Sequence, residues 1–126
     1  MKLFISEHSN AAIYEQIEQQ IRDAIIRQEL KSEEALPSIR GLAKDLQISV
    51  ITTKRAYEDL EKEGLIYSVP GRGFFVCNRK LEMLKEKKIQ ELEKRMTELI
   101  RDCRAAELDK QDIMDMLDLL YEEEVK

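Results

Sequence analysis

Residues 36–76 read LPSIRGLAKDLQISVITTKRAYEDLEKEGLIYSVPGRGFFV. Pro37 disfavours helical geometry at Leu36 and leaves Ser38 placed to cap a short helix, SIRGLAKDL, with Ile39, Leu42, Ala43 and Leu46 facing inward. Gln47-Ile48-Ser49 has the length of a three-residue turn. Ser49 is a second cap, and the helix it opens carries Thr53, Ala56, Tyr57 and Leu60 on one side. Gly64 is suited to the left-handed residue that closes such a helix. Two short helices joined by a three-residue turn make a helix-turn-helix. Leu65 to Ser68 and Phe74 to Val76 are β-formers around the turn Pro70-Gly71-Arg72-Gly73, so a two-stranded hairpin follows.

Outward from this stretch, residues 2–5 (KLFI) suggest a short strand. Asn10 is a candidate cap for a helix starting near Ala11 and stopping near Glu29. Ile13, Ile17, Ile21, Ala24 and Ile25 recur at steps of three and four, the spacing of one buried helical face. KSEEA, residues 31–35, reads as a polar connection. From about Asn78 the pattern turns to long helix. Ile89, Leu92, Met96, Leu99 and Cys103 step by three and four as in a heptad seam. Asp109 and Asp112 resemble a capping box, ahead of a last helix expected to bury Ile113, Met116, Leu117 and Leu120. The expected fold is mainly α: a winged helix-turn-helix over residues 1–77 and a two-helix dimerisation domain over residues 78–126.

The chain has 126 residues, 43% hydrophobic and 37% charged, which excludes wholesale disorder and suits solvated helices. No apolar run approaches the roughly 20 residues that a membrane-spanning helix needs. The opening MKLFISEHSN lacks signal-peptide architecture. Cys77 and Cys103 form no CxxC pair and read as reduced thiols of a cytoplasmic protein. His8 is the sole histidine, so no metal or cofactor is expected. There is no P-loop, no G-x-S-x-G and no nucleophile with a base, so no enzyme is expected.

Net charge is −5, unusual for a protein that meets nucleic acid. Phosphate affinity follows the local field rather than the total. Arg40, Lys44, Lys54 and Arg55 stand against only Asp45 over residues 40–55, while the acids collect at Glu58 to Glu63 and in the last third. The outer face of the second helix is Val50, Ile51, Thr52, Lys54 and Arg55. A helix fits the major groove and its first residues meet base edges, while its N–H groups suit a phosphate. Thr53, adjacent to Thr52, belongs to the core. Gly71 and Gly73 allow close backbone approach to a duplex, with Arg72 at the tip. Ser38 and Ser49 serve as caps and then as phosphate donors. Tyr57, Phe74 and Phe75 read as core or wing support.

This stretch resembles the DNA-binding module of the GntR family of bacterial regulators. The carriers are LPS-x-R, the threonine-bearing second helix, EGLI and the G-R-G wing. AAIYEQIEQQIRDAII is similar to that family's first helix, and the short helical tail resembles the YtrA-type branch. The resemblance implies that Arg40 contacts DNA backbone and groove. It also places Ser49, Val50, Ile51, Thr52 and Lys54 at base-reading and phosphate-contacting positions, and Pro70, Gly71 and Arg72 at the wing tip. It implies a homodimeric repressor on an inverted-repeat operator, often of an operon encoding an ABC transporter and the regulator itself. Two departures stand out. Val50 and Ile51 occur where many relatives place Arg, Asn or Pro, which leans the expected half-site toward A·T pairs. The usual glycines of the first loop are also absent (Gln28, Glu34). The tail is too short for an enclosed pocket, and no small-molecule effector can be named. The rival reading is a winged helix that binds protein as an adaptor, without DNA.

Overall fold

A computed structural model describes residues 1–77 and 80–125, the last without its side chain. The order is α1 (Ile13–Ile26), α2 (Ile39–Leu46), α3 (Val50–Lys62), β1 (Ile66–Val69), β2 (Gly73–Val76), α4 (Leu81–Ala105) and α5 (Lys110–Val125). The chain divides into two compact units, Met1–Lys85 and Glu86–Lys126. The first is a winged helix-turn-helix, as the sequence predicts. Asn78, where the sequence turns toward long helix, lies outside the described residues.

The core of the first unit is built from the inner faces of α1, α3 and the wing. Ile17, Ile21, Ala56, Tyr57, Leu60 and Val76 are fully enclosed, and Leu42 of α2 joins them. Tyr57 is the hub. Its hydroxyl donates to the Pro37 carbonyl at 2.7 Å, and its ring meets Phe74 of β2 edge-on at 5.1 Å. One side chain of α3 therefore fixes both the start of α2 and the wing. Burial pushes the Tyr57 phenol above its ordinary range, so it remains a donor at any working pH.

The hairpin pairs Ile66 with Val76, Tyr67 with Phe75, Ser68 with Phe74 and Val69 with Gly73. The Arg72 N–H closes the turn on the Val69 carbonyl at 2.9 Å. Pro70 then Gly71 at φ +76° is the type II combination, in which the third residue must be left-handed. The polar connection gains a role that its sequence conceals. Leu36 N–H donates to Phe74 O at 2.9 Å, Val76 N–H to Glu34 O at 2.9 Å and Glu33 N–H to Val76 O at 2.8 Å, so β2 has a neighbour on both edges. Backbone groups set this pairing, while side chains 31–35 stay in solvent and carry no periodic signal.

Four helix ends share one solution. Gln28, Gln47, Gly64 and Glu107 are left-handed, and the following residue donates back to Ala24, Ala43, Leu60 and Cys103 respectively. This is the Schellman closure, here built three times without glycine. The loop lacking the family's usual glycines thus holds two non-glycine left-handed residues, Gln28 and Glu33.

Two N-terminal expectations are corrected. Residues 2–5 belong to no sheet among the described residues. Instead the Gln20 amide substitutes for a strand, accepting from Phe4 N–H at 2.9 Å and donating to Phe4 O at 2.7 Å, which turns Leu3 and Ile5 to the core. Asn10 caps nothing. The helix begins at Ile13 behind Ala12, which offers no capping oxygen. The Gln16 side chain ties down the preceding chain, at Ser6 and Ala11.

In the second unit, Asp109 and Asp112 do form a reciprocal capping box, N–H to carboxylate at 2.8 and 3.0 Å. Leu92, Met96, Leu99, Met116, Leu117 and Leu120 are exposed, and Cys103 and Ile113 are half-buried. The expected burial of Ile113, Met116, Leu117 and Leu120 is therefore not reached within one chain: α4 and α5 do not pack along one another among the described residues.

Tyr57→Phe removes one hydroxyl and strands a carbonyl. We expect a loss of about 1–2 kcal/mol in urea unfolding with an unchanged slope. A change below about 0.3 kcal/mol would show that the bond to Pro37 does not hold α2 in place.

Candidate nucleic-acid interface

α3 begins with a saturated cap. Ser49 Oγ accepts from Thr52 N–H at 3.0 Å and donates to Thr52 Oγ1 at 2.7 Å, while the Ser49 carbonyl accepts from Thr53 N–H and Thr53 Oγ1 at 3.2 and 3.1 Å. Thr53 is buried, as expected, and Thr52 is partly so. The hydroxyls of this turn face one another, and hydrocarbon is left outside: Val50 is 43% and Ile51 80% exposed.

α2 repeats the device. Ser38 Oγ accepts from Gly41 N–H at 3.0 Å, and a Cβ on Gly41 would lie 2.9 Å from that oxygen. Glycine at position 41 therefore leaves the Ser38 hydroxyl unobstructed in this geometry. Arg40, on the same turn, projects into solvent, and neither Asp45 nor Glu58 takes it up. Among the described residues Arg40, Lys44 and Arg72 form no ion pair, whereas Lys54 reaches Glu58 at 3.7 Å. A Cβ added to Gly71 or Gly73 would meet nothing within 4 Å, so the wing tip is open.

The wing is tied to α3 as well as to the core. Glu61 accepts from Ser68 N–H at 3.0 Å and from Ser68 Oγ at 2.9 Å. Sequence reasoning missed Glu61, because an acid seven residues from a serine is no signal without the fold. It also missed Tyr14. The Arg55 guanidinium lies 3.8 Å from the Tyr14 ring centroid and 4.0 Å from Asp59, a cation–π contact that holds α3 on α1. Arg55 is thus engaged with the body of the domain, unlike Arg40 and Arg72.

Residues 13–76 match the family model described as bacterial regulatory proteins, gntR family. The chain belongs to the GntR family. The transcriptional repressor YtrA of Bacillus subtilis (strain 168) is 34% identical over 108 residues, covering 84% of this chain and 83% of that protein. A GntR family regulator from Listeria monocytogenes superposes with a TM-score of 0.73 at 26% identity, covering 90% of this chain and 97% of that one. The DNA-binding domain of AraR, solved with its operator ORX1, superposes with a TM-score of 0.53 at 30% identity, covering 60% of this chain and 93% of that one. GntR membership makes the chain a transcription regulator and not an enzyme.

Behind the interface lies a carboxyl cluster between α1 and α3. Glu18 is buried, its Oε1 has no donor, and its Oε2 lies 3.5 Å from Arg22. Arg22 also grips Glu63, with Nε donating to Oε2 at 2.9 Å, and that bond raises the guanidinium's affinity for its proton. Burial, then the hydrogen bond and charge of Asp59, push Glu18 up to about 7; Arg22 opposes the shift and Glu63 adds to it. Two carboxyls can hydrogen-bond only with a proton between them, which accounts for the orphaned oxygen.

Folded Glu18 keeps its proton to about pH 7, against an ordinary value of 4.5. Its contribution to stability is complete below 4.5 and is lost as pH rises through about 7. Urea midpoints should fall between about pH 4.5 and 7 and level off above, and Glu18→Gln, a permanent mimic of the protonated form, should flatten that fall and stabilise the chain at about pH 8. Parallel pH profiles in both proteins would refute the shared proton.

Proposed function

We propose that this chain is a homodimeric repressor that reads an inverted-repeat operator in double-stranded DNA. The observation that carries the reading is the uncovered leading turn of α3, in a domain whose Arg40 and Arg72 have no acidic partner among the described residues. The N-terminus of α3 carries partial positive charge, its first residues are free to meet base edges, and Arg40, Lys54 and Arg72 supply phosphate or groove contacts. Ser38 and Ser49 hold the two leading turns in place. Gly71 and Gly73 let the tip of the wing lie close to the duplex.

Dimerisation follows from the tail. Its helices leave Leu92, Met96, Leu99, Met116, Leu117 and Leu120 in solvent, an apolar surface that a second copy would cover, joined by Cys103 and Ile113. A twofold axis then sets two α3 helices about one turn of DNA apart, roughly 34 Å, and an inverted repeat matches that symmetry. Bound there, the dimer blocks RNA polymerase. The likeness to the repressor YtrA along most of both chains supports repression. A cytoplasmic setting and control of an operon that encodes an ABC transporter belong to the same proposal. The adaptor reading fits less well, because the unpaired cations of the first unit suit phosphate.

Arg40→Ala and Arg72→Ala should each weaken binding to the upstream region of the chain's own gene. Each should lower the slope of log affinity against log salt by about one. Unchanged affinity and slope in both would remove these residues from the interface. Leu92→Lys combined with Leu99→Lys should convert a sedimenting dimer to monomer and weaken DNA binding; a dimer that survives both would contradict the role given to α4.

A further inference from the structure

The geometry points to Ile51 as a specificity residue that reads the C5-methyl group of a thymine in each half-site, an inference that rests on the DNA-reading function proposed above. Three observations carry it.

First, Ile51 is the most exposed large apolar side chain among the described residues, at 80%, and it sits on the leading turn of α3. Second, the hydroxyl that caps that turn is already committed. Ser49 Oγ accepts from Thr52 N–H and donates to Thr52 Oγ1, and Thr52 is partly buried. Beside them the sec-butyl group of Ile51 stands clear of the protein, with Val50 next to it. Third, an isoleucine in a helix keeps essentially one χ1 rotamer, so this hydrocarbon is held rigid before any ligand arrives and loses little freedom on contact.

Among the four base pairs, the major groove offers donors and acceptors at every edge but only one apolar group, the thymine methyl. A long side chain with paired donors, such as arginine or asparagine, at position 51 would select a guanine or adenine edge. A branched hydrocarbon leaves such edges desolvated and unpaired, which costs affinity. It gains only where a methyl group fills the space. Ile51 therefore favours thymine by attraction and disfavours the others by withholding a partner.

The test uses the full chain. Duplexes enriched from a random pool by binding are remade with deoxyuridine in place of thymine, one position at a time in both half-sites. This change deletes the methyl and leaves base pairing intact. One position should show a loss of about four-fold per half-site, the value of burying one methyl group, or about sixteen-fold for the symmetric pair. Ile51→Ser should lose a similar amount on the thymine duplex and bind the deoxyuridine duplex equally well. The exposure of Ile51 makes this variant safe for folding, and circular dichroism checks it. If duplexes are enriched but none of their thymines responds, or if Ile51→Ser still discriminates, the assignment of Ile51 is overturned while DNA reading stands. If nothing is enriched, both fall.

Discussion

Tyr57 has to satisfy a hydroxyl inside an apolar core, and the Pro37 carbonyl 2.7 Å away is its partner. That bond fixes where α2 starts relative to the middle of α3. The same ring packs edge-on against Phe74, and so fixes the root of the wing. Each part of the proposed DNA-facing surface hangs from this point. The Ser38 cap follows Pro37 directly, and Arg40 stands just inside it. Glu61, one turn beyond Tyr57, holds β1 through Ser68. The wing and α3 are consequently coupled at two places one turn apart along one helix, so the leading turn of α3 and the wing tip are set by a single element.

The polar groups around this frame face inward, with consequences on both sides of α3. At its leading turn the Ser49 hydroxyl is spent on the cap, and Val50 and Ile51 present hydrocarbon outward. At its rear, Glu18, Asp59 and Glu63 crowd against Arg22 and Arg55, with Tyr14 stacked on Arg55. A net-negative chain thereby keeps part of its acid content behind α3, where it grips α1, and leaves Arg40 and Arg72 without an acidic partner among the described residues. Affinity for phosphate depends on that local arrangement and not on the net charge of −5.

Much of this is legible in the sequence. The caps at Ser38 and Ser49, the turn between α2 and α3, the buried Thr53 and the Pro-Gly hairpin are local chemistry, and local chemistry is written in adjacent residues. The features that escape are long-range or backbone-made. The pairing of residues 33–36 with β2 uses N–H and C=O groups that nearly every residue carries. The Gln20 amide holds Phe4 across sixteen positions, and Tyr14 on α1 meets Arg55 on α3. Helix ends at Gln28, Gln47 and Glu107 lack the glycine that usually marks them. Glu18 lies outside the apolar stripe of α1, and its spacing there gives no hint that α3 brings Asp59 to it.

The tail poses the opposite case. Its heptad spacing is plain, but periodicity shows which side chains want cover and not what covers them; within one chain they remain in solvent. The proposed DNA reading depends on the first unit, where the leading turn of α3 would meet the duplex together with the wing tip. Hydrogen–deuterium exchange of the full chain, with and without an enriched duplex, addresses it directly. We expect slowed exchange at residues 49–54 and 70–73 together on adding DNA. Protection confined to α4 and α5, or to the acidic face of α1, would contradict it.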